Sequence, residues 1–222
     1  MKIVRIIGIC LFMITLTIPG NSSAETAPPE VLAAAEGGLL PFLEQLPSSE
    51  WKHFGFAPGD KISEALLGAP FKVYTITPDA LAAYQAGDSV GSLLSPTGMW
   101  YFPVILTGDT RCVLTVAKMD GSWQAVGIGK TPLAAQLQRL KKQWPKSGGY
   151  EPILIEVFQV PAFFFTVPQA GEDNLSSFVF GGKGFSGKVK TGEPVYSSLT
   201  GLSEIIGRLK SVVAENIKQS TR

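Results

Sequence analysis

The chain has 222 residues, 19 basic and 18 acidic side chains, a formal charge of +1, and 45% hydrophobic residues. That balance excludes a polyanion binder, which needs a basic excess to meet phosphate. With Cys10 inside an apolar N-terminal run, His53 and Cys112 are the histidine and cysteine left to the folded part, and one of each cannot build a nitrogen/sulfur tetrahedral metal site.

Residues 1–24 read as an export signal. Lys2 and Arg5 form a short positive region, residues 6–19 an apolar stretch, and Ser22, Ser23 and Ala24 place small residues at the cleavage positions. The apolar run is shorter than the roughly 20 residues that span a bilayer, so cleavage before Glu25 is expected, with no stable membrane span left behind. Cleavage removes Lys2, Arg5 and Cys10, which leaves 17 basic against 18 acidic side chains and a charge of −1. Only Cys112 survives, so the mature chain can form no internal disulfide. Ile9 before Cys10, and the early position of that cysteine, argue against lipid attachment.

Residues 25–222 are then read as one α+β domain. Residues 25–58 form a helical cap, with Gly37, Gly38 and Pro41 splitting an Ala/Leu-rich stretch into two short helices. Residues 60–67 read as a short helix stopped by Gly68, Ala69 and Pro70, and residues 71–76 as the first strand. Thr77 and Pro78 open a helix, with Thr as cap and Pro at the first helical position.

The clearest stretch covers residues 99–106, 111–118 and 122–128, three alternating strands joined by turns that include Asp120-Gly121. Both positions of such a turn favour positive φ, so an antiparallel meander is expected. Pro103 cannot donate a ladder hydrogen bond, which implies an edge or a bulge at the first of these strands. Thr131-Pro132 repeats the cap signal, followed by Leu133, Leu137, Leu140 and Trp144 at helical spacing. Residues 153–160 and 162–167 read as strands around Pro161. Residues 168–195 read as loops around one short strand at Phe178, Val179 and Phe180, and residues 199–219 as a long amphipathic C-terminal helix. The fold class expected is α+β: an antiparallel sheet, borne by residues 71–180, with a central three-strand meander and flanking helices.

Chemistry-bearing residues are sparse. His53 lies in an aromatic turn, and Cys112 sits beside Val113 and Leu114 in a strand, where it reads as a small buried apolar residue. No twelve-residue calcium loop is present. The acids Asp79, Asp109, Asp120, Glu204 and Glu215 sit beside turns or on polar helix faces, which suits capping and solvation. Arg139, Lys141, Lys142 and Lys146 form the polar side of a helix. The run from Gly181 to Lys188 lacks the strand, spacing and following helix of a phosphate-cradling loop. No catalytic residue, metal ligand or cofactor is assigned, and no binding residue is singled out. Aromatics are dense around the strands, and the run Phe163-Phe164-Phe165 must place neighbours on opposite faces. Both faces are therefore expected to be covered.

The stretches Trp51-Lys52-His53-Phe54-Gly55-Phe56, residues 67–76 and Trp100-Tyr101-Phe102-Pro103-Val104, with Leu114-Thr115-Val116, Asp120-Gly121-Ser122-Trp123 and Gly127-Ile128-Gly129, resemble exported bacterial proteins of unknown function. The resemblance covers residues 30–165 and rests on core and turn residues. It implies an exported α+β architecture, in the periplasm or outside the cell, and carries over no active-site residue.

The expectation is a non-catalytic binding domain for an envelope protein, a peptide or an apolar ligand, strand addition at a free edge being one route. The competing readings are a carboxylate-dependent hydrolase and a structural component of the cell envelope. Two acids converging in a sheltered pocket favour the enzyme. A closed core with an open sheet edge favours binding. Nothing in the pattern sets an oligomeric state.

Overall fold

A computed structural model describes residues 26–85, 88, 90–148, 150, 152–158, 162–166, 177–181, 200–201, 206–207 and 209–215. The expectations placed on residues 1–24, 159–161, 167–176, 182–199, 202–205, 208 and 216–219 lie outside them.

The first helix, α1 (Pro29–Glu44), is continuous, not two short helices. Gly37, Gly38 and Pro41 are poor helix residues, but Val31, Ala35 and Leu43 are buried along one stripe, and that burial outweighs local propensity. Gly38 sits where α1 presses on Ala125, so a side chain there would collide with it. Residues 60–67 are not a helix either. They form a 3₁₀ turn (Ile62–Glu64) and a two-residue strand β1 (Leu66–Leu67).

Strand β2 (Phe71–Ile76) has the bounds expected. Helix α2 (Pro78–Ala83) starts as its sequence announces: the Thr77 hydroxyl oxygen accepts the Ala80 N–H at 3.2 Å. The meander follows as β3 (Leu94–Leu106), β4 (Asp109–Met119) and β5 (Ser122–Gly129). Its two turns have positive φ at both central residues, Thr107 (52°) with Gly108 (84°) and Asp120 (49°) with Gly121 (86°). Their twist matches that of the strands they join.

Helix α3 (Thr131–Gln143) begins one residue earlier than expected. Lys130, at φ 51°, is the residue before the helix, and the Thr131 hydroxyl donates to the His53 carbonyl at 2.7 Å instead of capping. The chain then forms β6 (Ile153–Val157), β7 (Ala162–Thr166), β8 (Ser177–Gly181) and the two-residue β9 (Thr200–Gly201). The expected C-terminal helix is shorter at its start, because Thr200 and Gly201 pair with β8. Helical residues are found at 206–207 and 209–215.

The described strands form one mixed sheet in the order β5-β4-β3-β2-β6-β7-β8-β9, with β1 also pairing to β3. All pairs are antiparallel except β2 with β6, where Val73 faces Leu154 and Tyr74 faces Ile155. That parallel pair corrects the wholly antiparallel expectation. It arises because α3 carries the chain from β5 to the far side of β2, the crossover a parallel neighbour needs. Strand β6 is buried on both faces, Ile153, Leu154, Ile155 and Val157 all being core, as such a position demands.

Pro103 is not on an edge, but the ladder of β3 with β4 is bulged beside it, between Val104 and Ile105, which is the other half of the expectation. Strand β3 lies between β4 and the line formed by β1 and β2. Its proline is accommodated because the partner line breaks at Gly68, Ala69 and Pro70, between the pairs Leu67 with Val104 and Phe71 with Tyr101. Gly68 N–H donates to Pro103 O at 2.7 Å, so the missing proline N–H points into that break.

Helix α1 covers β3 to β5 on one face, packing on Trp100, Phe102, Leu114 and Val116. On the same face Leu81, Leu209 and Val213 cover Ile155 and Phe164. Helix α3 covers the opposite face through Leu133, Leu137 and Leu140 against Tyr101, Val113, Leu154 and Phe165. Phe164 and Phe165 thus fill cores on opposite faces, as alternation requires.

Candidate functional site

Cys112 and His53 offer no nucleophile. Cys112 is fully buried in β4 beneath α1, and burial pushes its thiol up to about 12, so the sulfur stays protonated at neutral pH. His53 lies in the 3₁₀ turn Ser48–Phe54 with its side chain 75% exposed, and its Nε2 lies 3.7 Å from Glu50 Oε2. The acids weighed from sequence do not converge. Asp79 is in the first turn of α2, Asp109 Oδ1 accepts from Gln138 Nε2 at 2.6 Å, and Asp120 holds a turn. Glu215 is exposed at the end of the C-terminal helical residues, and Glu204 lies outside the described residues. Arg139, Lys141 and Lys142 are exposed on the outer side of α3, and Lys146 begins the short 3₁₀ turn Lys146–Gly148 beyond it. Among the described residues no group of three or more His, Cys, Asp or Glu is placed to hold a metal, and no helix is long and apolar enough to cross a membrane.

The sheltered carboxylate is one that sequence reasoning passed over. Glu156 in β6 is surrounded in sequence by Ile155 and Val157, yet its side chain is only 13% exposed, on the α3 face. Both oxygens are engaged: Oε2 accepts from the Tyr101 hydroxyl, and Oε1 lies 3.0 Å from Lys130 Nζ. The Lys130 ammonium also stands over the rings of Tyr101 and Phe163, at 4.9 and 5.2 Å from their centroids. Burial first, and then the hydrogen bond and charge of Glu156, raise the Tyr101 hydroxyl far above its usual value. The group joins Tyr101, Glu156 and Lys130, and among the described residues no second acid belongs to it. A lone polar position amid buried β6 residues was the available signal, since a buried charge must be partnered.

Arg111 is the second residue with polar groups held inside. It is the extra residue of a β4 bulge, between Thr110 facing Ile105 and Cys112 facing Val104. Its guanidinium donates to Gly55 O at 3.4 Å and to Thr107 Oγ1 at 3.1 Å, while its Nε is buried without a partner. The first bond is too long to be strong. Arg111 thus lies against Gly55, the residue that ends the Ser48–Phe54 turn.

The remaining feature is an edge. Strand β5 pairs with β4, and no other described strand or backbone segment hydrogen-bonds to it. Its eight residues, Ser122–Gly129, include no charge and no proline. The two-residue turn makes Met119 and Ser122 the pair that exchanges both hydrogen bonds. Lys118 with Trp123, and Val116 with Ala125, are then pairs that exchange none. The N–H and C=O of Trp123 and Ala125 therefore point away from β4, to the free edge. Val126 is the extra residue of a bulge between the pairs Val116 with Ala125 and Thr115 with Gly127, and it is 42% exposed. Trp123 and Ala125 turn their side chains under α1, and Val126 faces the other way.

No protein-family model, no curated protein and no solved structure matches the chain.

Proposed function

We propose that this is an exported binding domain that takes an extended peptide segment of a partner along β5 by strand addition. Export rests on residues 1–24, whose charge, apolar run and small residues have the pattern of a cleaved signal. The observation that carries the binding reading is the uncharged β5 edge, eight residues long and paired on one side only among the described residues. Edge strands that avoid pairing are short, or carry lysine, proline or inward charge. Strand β5 has only its bulge at Val126, which twists the strand without closing the row of donors and acceptors before it. Helix α1 covers one face of β5, and along its outer edge the N–H and C=O groups of Trp123 and Ala125 have no backbone partner among the described residues.

An enzyme reading lacks support at the residue level. Glu156 is the sheltered acid, and its two oxygens are committed to Tyr101 and Lys130. A partner segment suited to β5 is uncharged, free of proline at its bonding positions, and apolar on alternate residues. Nine-residue synthetic peptides alternating Val or Ile with Thr or Ser are the probe, titrated against the mature protein and against Gln124→Lys/Val126→Lys. The double variant places two charges on exposed edge positions and is expected to weaken binding at least about tenfold, or ~1.4 kcal/mol, with an unchanged unfolding midpoint. Equal binding by both proteins refutes the edge as the site.

A further inference from the structure

Lys130 is the residue between β5 and α3, and its ammonium is held as an alkylammonium ligand is held. Its Nζ lies 3.0 Å from Glu156 Oε1 and stands over two aromatic rings, 4.9 Å from the centroid of Tyr101 and 5.2 Å from that of Phe163. The Tyr101 hydroxyl donates to the other oxygen of Glu156 and so fixes the carboxylate that faces the cation. Ring faces together with a carboxylate are the means by which proteins recognise ammonium ligands.

The receiving groups and the cation differ in how firmly they are built. Tyr101, Glu156 and Phe163 belong to β3, β6 and β7, paired strands of the sheet interior. Lys130 belongs to no strand or helix, has φ 51°, and its side chain is 33% exposed. A residue with a Cβ is strained in that left-handed region by about 1 kcal/mol or more. The shell is rigid, while its cation is tethered, strained and reachable from solvent.

We propose that Tyr101, Glu156 and Phe163 form an alkylammonium-binding site that Lys130 occupies in the free protein and yields to the amine of a ligand. The site is independent of the β5 edge, since none of the three residues lies on β5. Lys130 is then a built-in competitor, present at the high local concentration that a tether confers, so a free amine displaces it only at high concentration and meets the shell without competition when Lys130 is shortened.

The test uses n-butylammonium chloride, which has the four carbons and primary ammonium of a lysine side chain, against sodium chloride at equal ionic strength. Lys130→Gly removes the competitor and suits the left-handed backbone; Lys130→Asn, also tolerant of that region, serves if the glycine variant does not fold. The unfolding midpoint of the variant is expected to climb with the logarithm of butylammonium concentration once the site saturates. That rise should vanish in Lys130→Gly/Glu156→Gln. In wild-type protein carrying ¹³C-lysine, the Lys130 ε-methylene resonance, displaced by the two rings, is expected to move saturably toward its solvent position. A Lys130→Gly midpoint indifferent to butylammonium overturns the proposal. A responsive variant beside an immobile wild-type Lys130 resonance overturns it too, because Lys130 is then a fixed structural cation.

Discussion

Gly37 and Gly38 are neighbours in α1, and the same substitution should move stability in opposite directions at the two sites. A Cβ at Gly37 meets nothing within 4 Å, so Gly37→Ala brings only the gain in helix propensity, about 0.8–1 kcal/mol. A Cβ at Gly38 runs into the Cβ of Ala125 and comes near its Cα at 3.6 Å. That methyl is attached directly to β5 and cannot rotate away, so α1 must lift from the sheet. Lifting loosens the packing of Val31, Ala35 and Leu43 on the meander. Overpacking of this kind costs about 1–3 kcal/mol, and more where backbone must move. After the propensity gain, Gly38→Ala should lose up to about 2 kcal/mol, and it should lie below Gly37→Ala by the overpacking cost, about 1–3 kcal/mol. Urea unfolding of a chain spanning residues 25–222, followed by tryptophan fluorescence, measures both values. Ala125→Gly added to Gly38→Ala should recover most of the loss. A Gly38→Ala variant as stable as Gly37→Ala would refute the close approach of α1 to β5, and with it the account of why the helix tolerates its glycines.

Tyr101→Phe removes a donor from Glu156 and should cost about 1.5–3 kcal/mol in urea unfolding, the range for hydrogen bonds to a charged group; no loss would mean the bond is absent in solution. Cys112 should react with a thiol reagent only as fast as the protein unfolds, and labelling of the folded protein within seconds would contradict its burial. Because burial raises the Cys112 thiol from its usual value near 9 to about 12, and raises Tyr101 as well, both groups keep their protons in the folded state while the unfolded chain releases them. Stability is then full below about pH 9 and falls as pH rises toward 12, by up to ~1.4 kcal/mol per pH unit for each group; Cys112→Ala should flatten that fall, and an unchanged slope would contradict the assignment. Thr77→Ala should cost about 1 kcal/mol by leaving the Ala80 N–H without its cap, with denaturant midpoints as the measure.

The parts of the fold legible in the sequence are those set by local chemistry. Alternation gave β2 and the meander, Asp120-Gly121 gave its turn, and Thr77-Pro78 gave the start of α2. The parts misread are those decided by distant partners. Helix α1 survives two glycines and a proline because the surface of β5 lies beneath it. Pro103 sits inside the sheet because the strand line beside it is broken at Gly68, which no property of residues 99–106 announces. The threonine-proline signal at Thr131 repeats that at Thr77, yet its hydroxyl is drawn to the His53 carbonyl, 78 positions away in the chain. The candidate sites follow the same division. Absence of charge and proline from residues 122–129 is plain in sequence, but that β5 is an edge follows only from the strand order. The gathering of Tyr101, Lys130, Glu156 and Phe163 depends on which strands α3 crosses, and no spacing between those residues encodes it.

Residue-resolved amide hydrogen exchange along β5 tests the central claim most directly. With the edge free, the Trp123 and Ala125 amides, which point away from β4, should exchange fast, while the Gln124 amide, paired with Ala117, should be slow. Adding the alternating uncharged peptides should slow Trp123 and Ala125 and leave Gln124 as it was. Slow exchange at Trp123 and Ala125 in the unliganded protein, or no slowing when peptide binds, would contradict strand addition at this edge.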